Sequence, residues 1–368
     1  MAIGADIGAL TVTLASQESP GCSIKYAEFP LSDRERLIAE LRDFQGQIVP
    51  SVGSGAWRLA SEIESQCSVL IEKHREPVCV WAAIRHLLET SDIAEAYKFT
   101  YVSQEDALYP ISAPFREAAS LSQLITPVVY QDLCDSFPIL LVNVKTGTSI
   151  YRVDSPSEFV RVGGASIGSS TVTGLGQALA PAPSSVTVSV TSVLSQSQMI
   201  QGHHCRTDLL VEDIYGGDCD SIGLPGSIIA SCFGKADEFS TKDCSADLAK
   251  SLIDLICINT AQLTHLHAQL NGCTTAVIVG SIGGSEEHLV VSECIQRVLN
   301  ILNKSTSKPI HAVFLKQSKF LGCLGAMLIG DKHSGKTPCD TATISDLVVD
   351  ETYTKLRVST PPLPPSFQ

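Results

Sequence analysis

Residues 211–234 read Val-Glu-Asp-Ile-Tyr-Gly-Gly-Asp-Cys-Asp-Ser-Ile-Gly-Leu-Pro-Gly-Ser-Ile-Ile-Ala-Ser-Cys-Phe-Gly. Four acids, a glycine pair and a Gly-Leu-Pro-Gly turn surround Tyr215. Gly216-Gly217 and the turn from Gly223 to Gly226 allow positive φ and close approach of other groups, and Pro225 stiffens the second turn. A glycine pair alone would mark an ordinary surface loop. The whole string is far more specific.

Working outward, the chain has 368 residues, 44% hydrophobic and 18% charged, enough for a globular core and two domains. A formal charge of −13 disfavours nucleic acid or an anionic membrane as partner, and no basic patch interrupts it. Thirteen cysteines lie scattered without paired or CxxC spacing, which predicts reduced, mostly buried thiols and no zinc site. Met1 to Leu14 lacks a basic start and is broken by Asp6, so it reads as a strand and not a signal peptide. No stretch approaches the roughly 20 apolar residues of a membrane span. The expected location is cytoplasmic.

Ala2 to Leu14 predicts two strands joined at a tight turn by Asp6-Ile7-Gly8. Helical spacing follows at 33–42, 60–73 and 80–88. Ile139 to Asn143 and Ser149 to Val153, joined through Lys145-Thr146-Gly147, predict a β-hairpin that opens a second domain at 137. Glycines and hydroxyls cluster from Gly163 to Gly176, and Ala178 to Ser185 reads as an irregular insertion. In Ala246 to Leu270 the positions Leu248, Leu252, Leu255, Leu263, Leu266 and Leu270 mark one buried helix face. Ala276 to Val279 is a strand running into Gly280, and Gly322 to Ile329 a closely packed small-residue helix. The expected divisions are 1–136, 137–333 and a Pro-rich tail, 334–368, ending in Pro361-Pro362-Leu363-Pro364-Pro365.

The block at 211–234 closely resembles the Asp-Ile-Tyr-Gly-Gly-Asp and Gly-Leu-Pro-Gly block of eukaryotic-type (type II) pantothenate kinases. The resemblance covers roughly Phe137 to Gly330, with a weaker anchor at Ala5 to Leu14. It implies an α/β, actin-like/hexokinase-like ATPase (ribonuclease H-like) fold of two domains with a nucleotide cleft between them. Three segments fit the order of phosphate elements in that fold. Asp6-Ile7-Gly8 offers a carboxylate for Mg²⁺ and a glycine that admits phosphate. Asn143 to Ser149 is the candidate second phosphate hairpin, and Ala276 to Gly280, followed by Gly283-Gly284, the adenosine-side strand and loop.

Gly330-Asp331-Lys332-His333-Ser334-Gly335-Lys336-Thr337 fits Walker A spacing letter for letter. A P-loop follows a strand and opens a helix. Here small-residue helical spacing precedes the string and a polar tail follows, so a working P-loop is not expected.

By resemblance, Arg161 to Thr171 looks like the family's Gly-Thr-Ser-Leu-Gly-Gly-Gly-Thr loop, and Phe314-Leu315 with Phe320 to Ala326 is similar to its C-terminal dimer and coenzyme A thioester segment. The same likeness implies ATP and Mg²⁺ as cofactors, held by Asp6 (the metal residue), Gly8, Lys145, Gly147, Gly168, Ser170 and Gly280. Thr146, Ser149 and Arg161 match positions that contact the feedback inhibitor, coenzyme A or acetyl-CoA. Tyr215, Asp218 and Gly226 would frame pantothenate.

Departures from the family cluster in the chemistry. Aligning Ser103 to Leu108 on the family's Asp-Glu-Leu-Asp segment puts Gln104 at the position of the catalytic base, leaving Glu105 to serve only in a shifted register, because one step along a helix turns a side chain by about 100°. Ala9-Leu10 replaces Gly-Thr, Lys145 replaces a glycine, Gly168 to Thr171 holds fewer glycines, His203 stands for an aspartate, and Ser318-Lys319 for a glutamate-glycine. Two functions follow from the resemblance. One is ATP-dependent phosphorylation of pantothenate to 4'-phosphopantothenate, the first step of coenzyme A synthesis, by a homodimer. The other is a catalytically impaired regulatory or scaffold subunit paired as a heterodimer with an active kinase protomer.

Overall fold

The computed structural model of the chain describes residues 1–19, 21–90, 95–179, 188–200, 205–239, 244–281 and 287–333, with backbone alone at 104, 105, 287 and 331–333. The expected tail at 334–368, Gly283-Gly284 and His203 therefore lie outside the described residues.

The first sheet is built from β1 (Ala2–Ile7), β2 (Thr11–Gln17), β3 (Lys25–Pro30), β4 (Ile48–Val52) and β5 (Leu70–Lys73), with α1 (Arg34–Arg42), α2 (Ser54–Cys67) and α3 (Glu76–Thr90) between and after them. Its order is β3-β2-β1-β4-β5. The first three strands are antiparallel and β1, β4 and β5 parallel, as the hairpin at Gly8 and the intervening helices require. α1 starts on Asp33, whose carboxylate accepts from Arg36 N at 3.1 Å. The helix expected over 60–73 instead runs Ser54–Cys67. Ser68, at φ 55°, ends it in a left-handed cap, and 70–73 leave to pair with β4.

Next come β6 (Ala96–Phe99), α4 (Gln104–Ala107), α5 (Ala118–Leu121), β7 (Ile125–Val128) and α6 (Tyr130–Cys134), then β8 (Ile139–Val144), β9 (Thr148–Ser155) and β10 (Glu158–Ala165). The chain continues through α7 (Ser169–Leu179), α8 (Val190–Ser197), β11 (Leu209–Leu210), α9 (Val211–Tyr215), β12 (Ile229–Ser231), α10 (Ser245–Asn271), β13 (Thr275–Gly280), α11 (Glu287–Asn303), β14 (His311–Leu315) and α12 (Leu321–His333). The second sheet is ordered β10-β9-β8-β13-β14-β6-β7. Its first five strands repeat the pattern of the first sheet, with β8 and β13 to β14 parallel and β8 to β10 antiparallel. This duplication is the actin-like, hexokinase-like ATPase fold. Residues 96–99 and 125–128 pair into the second sheet, ahead of the division at 137 that the sequence suggests.

Three apolar cores hold these layers. β1 to β4 pack on α1 and α2 through Ile7, Leu37, Leu41 and Ile63. α10 and α11 cover one face of the second sheet through Leu252, Ile256, Val291 and Ile295. Between the sheets, Val80 and Ile84 of α3 join Leu324 and Met327 of α12 against Leu141, Val277 and Val313. Each such side chain contributes about 1.5–3 kcal/mol when fully buried.

On α10, Leu248 and Leu252 are buried as expected, but Leu266 and Leu270 are 54% and 80% exposed. The buried face of its second half is carried by Ala261, Thr264, His265 and Ala268, small or compact side chains on one helical stripe. α7 runs through Ala178 and Leu179, and the remaining expected insertion at 180–185 lies outside the described residues. α12 includes Gly330 to His333, so the Walker-like string begins inside a helix. No disulfide forms among the described cysteines, and among these residues no helix is long and apolar enough to cross a membrane.

Candidate functional site

Glycines shape four backbone segments at the ends of central strands of the two sheets. Gly8 closes the β1–β2 turn, its N–H donating to Thr11 O at 2.9 Å. Gly147 turns the β8–β9 hairpin, and a Cβ there would lie 2.6 Å from Ala165 O. Gly168 enters α7 so tightly that a Cβ would stand 2.4 Å from Lys145 O and 2.7 Å from the Gly147 Cα. Gly280 ends β13 at φ 129°, where a Cβ would meet Val144 O at 2.0 Å. No other residue fits these places. Ser169, absent from the expected site, locks the hairpin to α7 by donating its N–H (2.6 Å) and Oγ–H (2.8 Å) to Lys145 O.

Asp6, Gly8, Lys145, Thr146 and Ser170 line one cavity of about 50 Å³ together with Thr13, Ser169, Ser281 and Lys319. A larger one of about 770 Å³ shares Ser169, Ser170, Ser281 and Lys319 and adds Arg34 and Arg58. Lys319 also donates to Glu28 at 2.5 Å. Serine hydroxyls and these cations give the cleft donors for an anion.

At the floor of the small cavity the Lys145 ammonium donates to Asp6 Oδ2 and lies 2.5 Å from Glu76 Oε1, which also accepts from Asn143 Nδ2 at 3.0 Å. Burial alone would lower the Lys145 ammonium, but Asp6 and Glu76 outweigh it and hold it charged above the ordinary lysine range. Burial pushes the Asp6 carboxyl up, Lys145 pulls against it, and Glu76 adds to the rise. Glu76 is likewise pushed up by burial, yet Lys145 and Asn143 bring it below the usual carboxylate range. Cys79, close by, is raised by burial and by both acids.

This geometry does not fit a divalent cation on Asp6. Asp6 Oδ2 already holds an ammonium where a metal would sit at about 2.0–2.6 Å, and Oδ1 faces Gly53, whose added Cβ would lie 2.7 Å from it. Gly322, in the first turn of α12, covers the pair from another side: a Cβ there would lie 2.2 Å from Asp6 Oδ2 and 3.2 Å from Lys145 Nζ. Among the described residues no group of three His, Cys, Asp or Glu side chains is arranged to hold a metal ion. Glu76 carried no signal in the sequence, because an acid in the first turn of a helix is common on dipole grounds alone.

The remaining expected site residues lie elsewhere. Gln104 and Glu105 belong to α4, and their side chains lie outside the described residues. The helix is anchored by Asn300 Nδ2, which donates to Ala107 O at 2.9 Å, and by Arg116, which donates to Asp106 O at 3.0 Å. Ser149 and Arg161 sit on β9 and β10 and are not among the residues lining the two cavities. Within the 211–234 block, Gly216 and Gly223 adopt φ of 80° and 67°. Asp218 Oδ1 accepts from Gly226 N at 2.6 Å, and Asp213 caps α9 by accepting from Leu210 N at 2.7 Å. Tyr215 is 57% exposed at the end of α9. In the C-terminal segment from Phe320 to Ala326, Leu321, Cys323, Leu324 and Ala326 are buried within the chain.

The Fumble family model matches residues 11–329. The chain is 27% identical over 325 residues to a 4'-phosphopantetheine phosphatase of Mus musculus, covering 86% of this chain and 35% of that protein. It is 31% identical over 290 residues to pantothenate kinase 2 of Oryza sativa subsp. japonica, covering 78% and 28%. The chain thus spans about a third of the length of these relatives. Among solved structures it is similar to the activator of the 2-hydroxyisocaproyl-CoA dehydratase from Clostridium difficile with bound ADPNP, with a TM-score of 0.47, 10% identity and 93% and 99% of the two chains covered. A ROK family glucokinase from Streptomyces griseus in complex with glucose and AMPPNP gives 0.42 at 11% identity, covering 90% and 99%.

Proposed function

The chain belongs to the Fumble family of type II pantothenate kinase-like proteins, and from that membership we propose that it binds nucleotide in the cleft and serves pantothenate phosphorylation as a catalytically impaired subunit. In this reading it pairs with an active kinase protomer and does not by itself convert pantothenate to 4'-phosphopantothenate. One observation carries it: Asp6, the carboxylate a kinase of this fold needs for its metal, is tied to Lys145. Phosphoryl transfer relies on positioned phosphates, charge neutralisation and a group to take the proton from the attacking hydroxyl. Gly8, Thr146 and Ser170 support the first requirement. Lys145 changes the second, and Gln104 in place of a glutamate weakens the third. Tyr215, Asp218 and Gly226 remain the proposed frame for pantothenate, and Thr146, Ser149 and Arg161 the proposed contacts for coenzyme A or acetyl-CoA. Because the chain spans 35% of the mouse phosphatase, the activity in that protein's name is not carried over.

ATP-dependent phosphorylation of pantothenate by the purified chain, alone and mixed with an active family member, tests this. No turnover alone, with altered turnover of the mixture, is expected. Turnover by the chain alone at the rate of the active member would overturn the reading. The active-enzyme reading is favoured by the gathering of Asp6, Gly8, Thr146 and Ser170 around one cavity. It demands that Glu105→Gln abolish that turnover.

A further inference from the structure

We propose that the Lys145 ammonium is the resident cation of the cleft, so that the phosphates of a nucleoside di- or triphosphate bind there without a divalent cation at Asp6. The inference rests on the reading of the cleft as a nucleotide site and says what neutralises the ligand within it. Lys145 stands at the end of β8, where the chain turns into the hairpin, while Asp6 ends β1 and Glu76 begins α3. Three elements far apart in sequence thus point charged groups at one spot. Two carboxylates facing each other there would call for a dication. A single ammonium held between them takes that place as part of the chain itself.

An ammonium has three N–H donors. Asp6 and Glu76 account for two of the Lys145 contacts. The side chain also lines the cavity with Thr146, Ser169 and Ser170, so its third donor is placed for a phosphate oxygen entering from there. Further out, Arg34, Arg58 and Lys319 line the larger cavity and supply charge that a metal would otherwise bring. A metal seated on Asp6 would face the Lys145 ammonium at contact distance, beneath the turn at Gly322. Like charges at that separation repel strongly in a poorly solvated site.

The test uses the full chain. Calorimetric titration with ATP in EDTA and again in Mg²⁺ is expected to give affinities within about threefold of each other, and a larger gain from Mg²⁺ overturns the proposal. Paramagnetic resonance of Mn²⁺ added to the nucleotide-free protein is expected to find no stoichiometric site in wild type. Lys145→Gly is expected to gain one Mn²⁺, and Asp6→Ala in that background to lose it. Mn²⁺ held by wild type, or no gain in a folded Lys145→Gly, overturns the inference. If Lys145→Gly does not fold, the wild-type readings still decide. Failure of ATP to bind in either solution sinks the nucleotide reading instead, and the Mn²⁺ results then judge Lys145 alone.

Discussion

Gly325 of α12 lies directly against Cys79 of α3: a Cβ built at 325 would stand 1.7 Å from the Cys79 carbonyl oxygen. The obstacle is backbone, so relief requires the two helices to part. Gly325→Ala is expected to cost about 3 kcal/mol, the upper end of ordinary overpacking. Gly174, within α7, has nothing within 4 Å of its added Cβ. Gly174→Ala is expected to stabilise by about 0.5–1 kcal/mol through helix propensity. Urea unfolding of both variants checks the contrast, and equal effects would refute it.

Lys145→Met leaves Asp6 and Glu76 buried with no cation between them, and is expected to cost about 3 kcal/mol near neutral pH. Wild-type Glu76 is held below its ordinary value, so its contribution is present above the ordinary glutamate value of 4.5 and lost as pH falls through the lower, folded value. Without the ammonium both carboxyls rise, so the variant regains stability on acidification. The gap between the two proteins therefore narrows as pH falls. Unfolding curves collected at several pH values would show a constant gap if the triad were not coupled.

Lys250 and Asp254 form a fully buried pair on α10; the ammonium also donates to Ile111 O at 2.9 Å and lies 4.3 Å from the Phe115 ring centre. Burial, opposed by Lys250 and aided by Asp208, raises the Asp254 carboxyl to about 6. For an acid raised in the fold, the stability contribution is complete below the ordinary aspartate value of 3.8 and is lost as pH rises through about 6. Lys250→Met is expected to cost about 3–5 kcal/mol, more above about pH 6 than below it, and adding Asp254→Leu to recover most of the loss. A double variant no better than Lys250→Met alone would contradict this.

Leu252 is 1% exposed and Leu270 80%. Leu252→Ala is expected to lose about 2–5 kcal/mol, and Leu270→Ala to stay within about 0.5 kcal/mol of wild type. Thermal unfolding separates the two at once.

Much of the frame was legible because it depends on local backbone chemistry. The turns at Gly216 and Gly223, the hairpin through Gly147 and the helix at 245–271 follow from glycine placement and apolar spacing. Beyond Ala261 burial along α10 departs from the leucine pattern, because the tight helix contact is made by alanine, threonine and histidine. The close packing of the turns at Gly8, Gly147 and Gly168 follows from their glycines. Their electrostatic centre does not, because Lys145 meets an aspartate 139 residues away and a glutamate with no distinguishing neighbours. In sequence Lys145 is a candidate phosphate ligand standing at a glycine position, with nothing to show that Asp6 and Glu76 would hold its ammonium. What that charge touches emerges only when three elements converge.

α12 lies across β1, β4 and α3, and at Gly4 an added Cβ would sit 2.1 Å from Cys323 O. The first described strand is thus fitted to the last described helix. During synthesis, β1 to β5 emerge from the ribosome with one face of their sheet uncovered, and that face stays open until residues 321–333 arrive. Completion of the amino-terminal half therefore waits on the far end of the chain, which makes it a candidate for chaperone protection in the interval.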